Sequence, residues 1–184
     1  MEERLTEVLS YIDRDELVEL TRALIRIPSV PRPQSGGSEE EVAYFVAEKL
    51  KEIGLEVITE EVAPGRPNVI AVLKGHGEGR TLMFEAHTDV VTEGDSEEWT
   101  YPPFEAVIQN GRIYGRGACD TKGNLAAAII AVKAIKEAGV NLPGKIILGF
   151  PVDEEGLMIG IKHFIKQGWA KDIDGAIICE PEDN

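Results

Sequence analysis

Six side chains that could bind a metal ion or exchange protons follow expected strands and turns along this sequence. They are one histidine and five carboxylates: His87, Asp89, Asp120, Glu154, Glu155 and Glu180. Imidazole nitrogen and carboxylate oxygen are ligand atoms that zinc takes in catalytic sites. A neighbouring carboxylate can serve as the general base in hydrolysis. These residue types, in this order, predict a metal-dependent hydrolase.

The positions of these side chains place them at the ends of strands or turns. His87 and Asp89 follow the apolar segment Leu82-Met83-Phe84, which predicts a buried strand. Asp120 follows a glycine-containing turn and precedes a helix, and Glu180 ends another apolar segment. Proteins of the α/β class bind ligands in the crevice beyond their strand ends, so Asp120 and Glu180 are expected to point into one crevice.

A single acidic residue in a loop is most simply explained as a solvated surface group, because Asp and Glu are usually exposed. Glu154 and Glu155 argue against this explanation. They form a like-charged pair directly after an apolar strand. Such a pair near other carboxylates is costly unless a cation offsets the repulsion. A bound metal ion would supply that cation.

Other catalytic motifs match the sequence poorly. The segment Gly115-Arg116-Gly117 resembles the start of a dinucleotide-binding loop, but Asp120 takes the place of the third glycine and would repel a pyrophosphate. The sequence contains neither a Gly-x-Ser-x-Gly nucleophile motif nor a His-Glu-x-x-His helix. These observations disfavour nucleotide-dependent chemistry and serine hydrolysis.

The two cysteines and the two remaining histidines are expected to have ordinary roles. Cys119 and Cys179 each precede a candidate ligand, but a small packed residue is a commoner role for cysteine than metal binding. His76 lies among glycines in a turn, which predicts a surface position. His163 lies in the middle of a predicted helix and is expected to be partly exposed.

Composition restricts the class of protein further. The 184 residues, 43% of them hydrophobic and 28% charged, are typical of a globular domain. A net charge of −14 disfavours nucleic acid as a partner, because a phosphate backbone would be repelled. The longest apolar run, residues 125–132, is too short to cross a membrane, and the first residues do not form a signal peptide. We therefore expect a cytoplasmic protein without a membrane partner.

Capping patterns predict where the helices begin in the first part of the chain. Asp13 with Glu16 resembles a capping box, so the first helix is expected to begin near Asp13. A polar loop follows over residues 31–37. Ser38 with Glu41 makes a second capping box, which predicts a helix from there to Ile53.

Helices alternate with apolar strands over the rest of the sequence. The dipeptide Asn110-Gly111 predicts a tight hairpin. The last strand is expected to be buried. This order predicts a three-layer α/β/α sandwich with a mostly parallel or mixed sheet. The predicted strands are residues 55–59, 68–73, 81–84, 145–152 and 175–179, and the predicted helices are residues 122–138 and 159–166.

Four ordered motifs carry a family resemblance: Ala86-His87-Thr88-Asp89-Val90-Val91, residues 115–123, Asp153-Glu154-Glu155-Gly156 and Glu180-Pro181. Together they resemble the M20 family of metallopeptidases and amidohydrolases. This family includes acetylornithine deacetylase, succinyl-diaminopimelate desuccinylase, aminoacylase and carboxypeptidase G members. The resemblance implies a zinc-peptidase-like catalytic domain. It also implies hydrolysis of an amide or peptide bond in a small N-acyl amino acid or peptide.

The resemblance implies a two-metal site. His87 and Glu180 would bind one Zn²⁺, Glu155 would bind a second, and Asp120 would bridge the two ions. Carboxylate and imidazole ligands also accept Co²⁺ or Mn²⁺, so the native metal is not fixed by these residues.

The resemblance also implies two catalytic roles. Asp89 would orient the His87 imidazole, in keeping with the general pairing of metal-binding histidines with carboxylates. Glu154 would be the general base that takes a proton from the attacking water and passes it to the leaving amine. A cis peptide bond at Asp120-Thr121 is implied as well.

Members of the M20 family continue beyond the motifs found here. The resemblance therefore implies that residues 1–184 form the N-terminal part of the catalytic domain. A lid or dimerisation domain and a C-terminal catalytic segment with a last histidine ligand are absent from this sequence. The implied partners are a small substrate, a second copy of the chain, or a missing C-terminal segment. The alternative is a non-catalytic metal-binding or interaction fragment, or one half of a split enzyme.

Overall fold

The structure of this protein is a computed structural model that describes residues 2–32 and 38–182, so most of the predicted polar loop lies outside the described residues. No helix in the described ranges combines the length and the apolar character needed to cross a membrane. The helices are α1 (Glu2–Ser10), α2 (Arg14–Ile25), α3 (Glu40–Glu52), α4 (Lys122–Glu137) and α5 (Ile159–Lys166). The strands are β1 (Glu56–Ala63), β2 (Arg66–Lys74), β3 (Thr81–Glu85), β4 (Val107–Gln109), β5 (Arg112–Tyr114), β6 (Lys145–Phe150) and β7 (Gly175–Ile178).

The main sheet has five strands in the order β1-β2-β6-β3-β7. Strands β1, β2 and β6 pair antiparallel, whereas β3 pairs parallel with both β6 and β7. The sheet is therefore mixed, as the sequence predicts. Because β3, β6 and β7 run in one direction, their carboxyl ends meet at the same edge of the sheet.

Helices cover both faces of the sheet, which confirms the predicted three-layer architecture. Alternate residues of each strand point to opposite faces. Ala71 and Leu148 belong to the larger core, which includes buried residues of α2, α3 and α4. Ile70 and Ile147 belong to a smaller core on the other face, where Phe164 of α5 is buried. The strand β6 is thus apolar on both faces, because helices pack against both.

The start of α2 is confirmed, but one residue of its capping box acts differently. The Asp13 carboxylate accepts hydrogen bonds from the backbone N–H groups of Asp15 and Glu16, at 2.9 and 3.1 Å. The Glu16 side chain does not complete the box, because it binds Lys133 of α4 instead. A further helix, α1, precedes α2 and is absent from the predicted set.

The predicted capping box of α3 is wrong. The cap is Glu39, and α3 begins at Glu40 without a side-chain hydrogen bond from its cap residue. The Ser38 hydroxyl accepts only a long hydrogen bond, 3.3 Å, from the N–H of Glu40. Glu39 is fully buried and binds Arg66, so this ionic contact, rather than Ser38 and Glu41, accompanies the start of the helix.

The last strand is not buried, contrary to the prediction from its apolar residues. Ile177 and Ile178 of β7 are 46% and 56% exposed. In the described chain β7 is an edge strand that pairs only with β3. An apolar run predicts a strand, but it does not show whether both neighbouring positions in the sheet are filled.

The predicted hairpin is confirmed. Strands β4 and β5 pair antiparallel around Asn110 and Gly111. Both residues have positive φ angles, 52° and 73°. A two-residue turn with two positive φ angles matches the right-handed twist of the paired strands, and Asn-Gly is the favoured dipeptide for it.

Candidate metal centre

The six residues predicted from the sequence come together at one edge of the sheet. His87 and Asp89 follow β3, Glu154 and Glu155 follow β6, and Glu180 follows β7. Asp120 lies in the turn before α4, beside His87. The parallel direction of the three strands is what gathers groups that are far apart in the sequence.

His87 lies at the centre of this group and is fully buried. Its Nε2 atom is 3.0 Å from Oδ1 of Asp120, 3.5 Å from Oε1 of Glu180 and 3.8 Å from Oε2 of Glu154. Its Nδ1 atom is 2.9 Å from the backbone oxygen of Asp89. Because a carbonyl oxygen can only accept, Nδ1 carries a proton. Nε2 is therefore the atom that faces the carboxylates, and it offers them a proton when the ring is charged or offers a metal ion its lone pair when the ring is neutral.

The charges around His87 favour its protonated form when no cation is present. Burial lowers the pKa of the imidazole, but the carboxylates of Asp89 and Glu180 outweigh this effect, so the pKa is raised overall. A metal ion at Nε2 would compete with that proton, because only the neutral ring is a ligand.

The Asp89 carboxylate holds the backbone of the next part of the site. It is buried, and it accepts hydrogen bonds from the N–H groups of Glu154 and Glu155, at 3.0 and 3.1 Å. Its Oδ1 atom lies 3.6 Å from Nδ1 of His87, and the backbone oxygen of Asp89 makes the closer contact. The orienting role of the carboxylate therefore stays a prediction.

Asp120 and Glu155 complete a possible ligand set. One ligand atom from each of His87, Asp120 and Glu155 lies within 4.8 Å of the others. The Asp120-Thr121 peptide bond is cis, as the resemblance implies. This spacing suits side chains that share one or two metal ions.

Glu180 has a buried oxygen that lacks a partner. Its Oε1 atom accepts no hydrogen bond within the described structure. Burial raises the pKa of the Glu180 carboxyl, and the charge of Asp120 adds to the rise. An unpartnered buried carboxylate oxygen is costly, and a cation would remove that cost.

The same electrostatic pattern extends to Glu155, whose pKa is raised first by burial and then by the charge of Asp120. His87 is the only basic side chain in the described ranges that pairs with the carboxylates of this group. The donor set and its excess negative charge therefore fit a divalent metal ion.

Residues 83–184 match the family described as peptidase family M20/M25/M40, which is more than half of the 184 residues. The chain belongs to this family. The M20 family consists of metal-dependent hydrolases, and the sequence resemblance is thus confirmed.

Two relatives share one named activity. The chain is 36% identical over 171 residues to N-formyl-4-amino-5-aminomethyl-2-methylpyrimidine deformylase of Halalkalibacterium halodurans, covering 91% of this chain and 40% of the relative. It is 35% identical over 172 residues to the deformylase of the same name from Bacillus subtilis, covering 92% and 39%. The chain therefore spans about 40% of the length of these curated relatives.

Solved structures of M20-type enzymes share the fold. The M20 family metallo-carboxypeptidase of Sulfolobus solfataricus superposes with a TM-score of 0.76 at 28% identity, covering 89% of this chain and 37% of the other. Human carnosine dipeptidase 1 gives a TM-score of 0.83 at 25% identity, covering 96% and 41%. The described sheet and helices thus correspond to part of an M20 catalytic domain.

Glu85 is a buried carboxylate near the candidate site that the sequence does not indicate as a functional residue. It ends β3, it is only 6% exposed, and burial raises its pKa to about 7, with the charge of Glu180 adding to the effect. The burial of Glu85 could have been predicted from the alternation of side chains along β3. Thr81, Met83 and Glu85 share one face of β3, and the first two are also buried.

Lys122 is a second missed residue. It is fully buried, and its Nζ atom donates hydrogen bonds to the backbone oxygens of Leu24 and Ile27, at 2.9 and 2.6 Å. Burial lowers the pKa of Lys122 to about 7. These bonds tie the start of α4 to the end of α2 and so fix the turn that carries Asp120.

A groove opens beside the site between α5 and β7. Its volume is about 560 Å³, and Glu85 and Glu154 lie on its wall. Most of the remaining lining is apolar, including Met158, Ile161 and Ile178. An acidic site with an apolar groove next to it could accommodate a small organic substrate.

Proposed function

We propose that this chain carries the metal-binding and base-bearing part of an M20 hydrolase that cleaves an amide or peptide bond in a small N-acyl amino acid or peptide. The observation that supports this most directly is the convergence of three carboxylates on Nε2 of His87, within 3.8 Å. The activity of the two related deformylases extends the proposed substrates to N-formyl amines.

His87, Asp120, Glu155 and Glu180 are the proposed ligands. His87 and Glu180 would hold one Zn²⁺ ion, Glu155 would hold a second, and Asp120 would contact both. Co²⁺ or Mn²⁺ could replace Zn²⁺ at the same ligands. A bound divalent ion would act as a Lewis acid toward the scissile carbonyl and lower the pKa of water. Asp120 and Glu180 each place an oxygen atom within 3.5 Å of Nε2 of His87, and a cation would offset the repulsion between carboxylates this close together.

Glu154 is the proposed general base. The Asp89 carboxylate accepts a hydrogen bond from the backbone N–H of Glu154. The Oε2 atom of Glu154 lies 3.8 Å from Nε2 of His87. Glu154 is not part of the close group formed by His87, Asp120 and Glu155. Its carboxylate would take a proton from the attacking water and deliver it to the nitrogen of the leaving amine. The side chain is half-buried and lines the apolar groove, where that amine could lie.

We also propose that further protein completes the site. The chain spans about 40% of the length of its curated relatives. That it is the N-terminal part of a catalytic domain stays a proposal from the sequence resemblance. A C-terminal segment or a second copy of the chain would then supply further ligands and substrate contacts. Cytoplasmic location and dimerisation stay predictions from the sequence.

The experiment that tests the proposal combines metal content with turnover. The purified chain would be analysed for bound metal and assayed on N-formyl, N-acetyl and N-succinyl derivatives of small amines and amino acids. We expect two zinc equivalents per chain and release of the free amine. Zinc binding without turnover would favour either the non-catalytic alternative or a C-terminal segment that must supply further ligands and substrate contacts. A chain that shows neither metal binding nor turnover would contradict the proposal.

A further inference from the structure

A buried ionic network lies behind the turn that carries Glu154 and Glu155. The Arg66 guanidinium binds the fully buried Glu39 carboxylate through two nitrogens, with Nη2 2.6 Å from Oε1 and Nε 2.8 Å from Oε2. The same Nη2 atom lies 2.7 Å from Oδ1 of Asp153. Arg66 thus bridges one carboxylate at the start of α3 and another at the end of β6.

The second oxygen of Asp153 binds the turn itself. Oδ2 accepts hydrogen bonds from the N–H groups of Leu157 and Ile159, at 3.0 and 3.4 Å. Asp153 has a φ angle of 63°, in the left-handed region, and a Cβ at Gly156 would lie 2.7 Å from Oδ1 of Asp153. The backbone therefore wraps around this carboxylate, with Arg66 on one side and the turn on the other.

The same turn is held from the opposite direction by Asp89, which accepts from the N–H groups of Glu154 and Glu155. Two carboxylates consequently fix the turn. Asp89 lies beside the His87 imidazole, with Oδ1 3.6 Å from Nδ1, whereas Asp153 pairs with the guanidinium of Arg66. Without the Arg66 guanidinium, Asp153 would be a buried charge adjacent to Glu154, and repulsion would favour its movement away from the turn.

Arg66 is suited to this task because a guanidinium is charged at all physiological pH values and makes planar, two-pronged contacts with carboxylates. Glu39 fixes the plane of the guanidinium from behind. The Arg66 side chain is 14% exposed, so little solvent competes for its hydrogen bonds.

We propose that Arg66, held by Glu39, is a positioning residue that acts through Asp153 to fix the turn bearing Glu154 and Glu155. The inference concerns the placement of a base and a ligand, so its catalytic meaning rests on the proposed function. The positioning itself is a property of the chain that can be measured without metal or substrate.

The test compares Arg66→Met and Arg66→Lys with a matched control, Lys74→Met. Lys74 lies at the other end of β2 and forms an exposed ion pair with Glu56. Hydrogen exchange of the metal-free chain would be followed for residues 154–159 and for the paired strands β2 and β6. Zinc affinity would be measured by calorimetry, with kcat and KM where the wild type shows turnover.

For Arg66→Met we expect amide exchange in the turn to accelerate about tenfold while the β2–β6 amides stay unchanged, and zinc affinity to fall about 10- to 100-fold. Where turnover is measurable, kcat should fall more than KM rises. Arg66→Lys should restore part of each effect, because it keeps the charge but loses the two-pronged contact. Lys74→Met should resemble the wild type.

Unchanged exchange in the turn would overturn the proposal, and so would an equal acceleration throughout the sheet, which indicates a merely structural role. If Arg66→Met does not fold, Glu39→Gln gives the same comparison, with a smaller expected acceleration confined to the turn. A wild-type chain without metal binding or turnover would contradict the proposed function alone, because the exchange experiment still decides the role of Arg66.

Discussion

The side-chain amide of Asn124 donates a hydrogen bond of 2.8 Å to the backbone oxygen of Cys179. The Thr121 hydroxyl donates to the same oxygen at 2.6 Å. Asp120 directly precedes Thr121, and Glu180 directly follows Cys179. Two proposed ligands from distant parts of the sequence are therefore joined through one carbonyl group.

Replacement of Asn124 by leucine should weaken metal binding. The variant keeps a side chain of similar size but removes the donor, so the end of β7 and Glu180 should lose part of their alignment with Asp120. We expect zinc affinity, measured by calorimetry, to fall about tenfold, in line with other indirect contacts to ligands. Asn141→Leu is the control, since Asn141 is exposed and outside the site. An equal change in zinc affinity in both variants would contradict a role for the hydrogen bond from Asn124 to Cys179 in aligning the ligands.

Replacement of Glu154 by glutamine should separate catalysis from metal binding. The amide has nearly the same shape but cannot take a proton from water. We expect turnover of an N-acyl substrate to fall at least about 100-fold, while zinc stoichiometry and affinity stay close to those of the wild type. The exposed Glu78→Gln serves as a control for the loss of one charge. Unchanged turnover in Glu154→Gln would rule out the base assignment.

The sequence predicts which residues lie together at this edge of the sheet, because these residues follow strands. His87, Glu154 and Glu180 each lie a few residues after an apolar run that forms a strand. Because β3, β6 and β7 run parallel, their carboxyl ends lie at the same edge of the sheet, and the residues that follow them are brought together. Order along the chain and chemical type are therefore sufficient to identify this group of residues.

The supporting residues are harder to predict, because their partners are distant in the sequence. Arg66 lies in a hairpin, and nothing near it indicates contacts with Glu39 and Asp153. The burial of Lys122 depends on two carbonyl groups at the end of α2. The exposure of β7 depends on which strands adjoin it. The local sequence pattern indicates whether a segment is a helix or a strand. The contacts of Arg66, the burial of Lys122 and the exposure of β7 depend instead on tertiary contacts.

Exposed isoleucines on β7 should make the purified chain self-associate. An unprotected edge strand with apolar side chains is a template for pairing with another chain. Ile178→Lys should raise the dissociation constant of any dimer about tenfold, measured by sedimentation equilibrium. Ile108→Lys is a matched control, because Ile108 is 44% exposed but lies in the separate β4–β5 hairpin. Equal effects of both substitutions would exclude β7 as the contact.

The buried Glu85 carboxyl should make the metal-free chain less stable as the pH rises. Burial raises the pKa of Glu85 from 4.5 to about 7 in the folded state. The folded chain therefore binds more protons than the unfolded chain between these values, so the free energy of unfolding falls as the pH increases through this range. A shift of this size corresponds to roughly 3 kcal/mol.

Glu85→Gln removes this ionisation and should reduce the loss of stability between pH 4.5 and pH 7.5 by roughly 3 kcal/mol. Urea unfolding with a chelator present would measure it, because a bound metal ion would change the charge around Glu85. The exposed Glu97→Gln is the control and should keep the pH dependence of the wild type. If Glu85→Gln and the wild type lose the same stability over this range, the burial of Glu85 does not govern its ionisation.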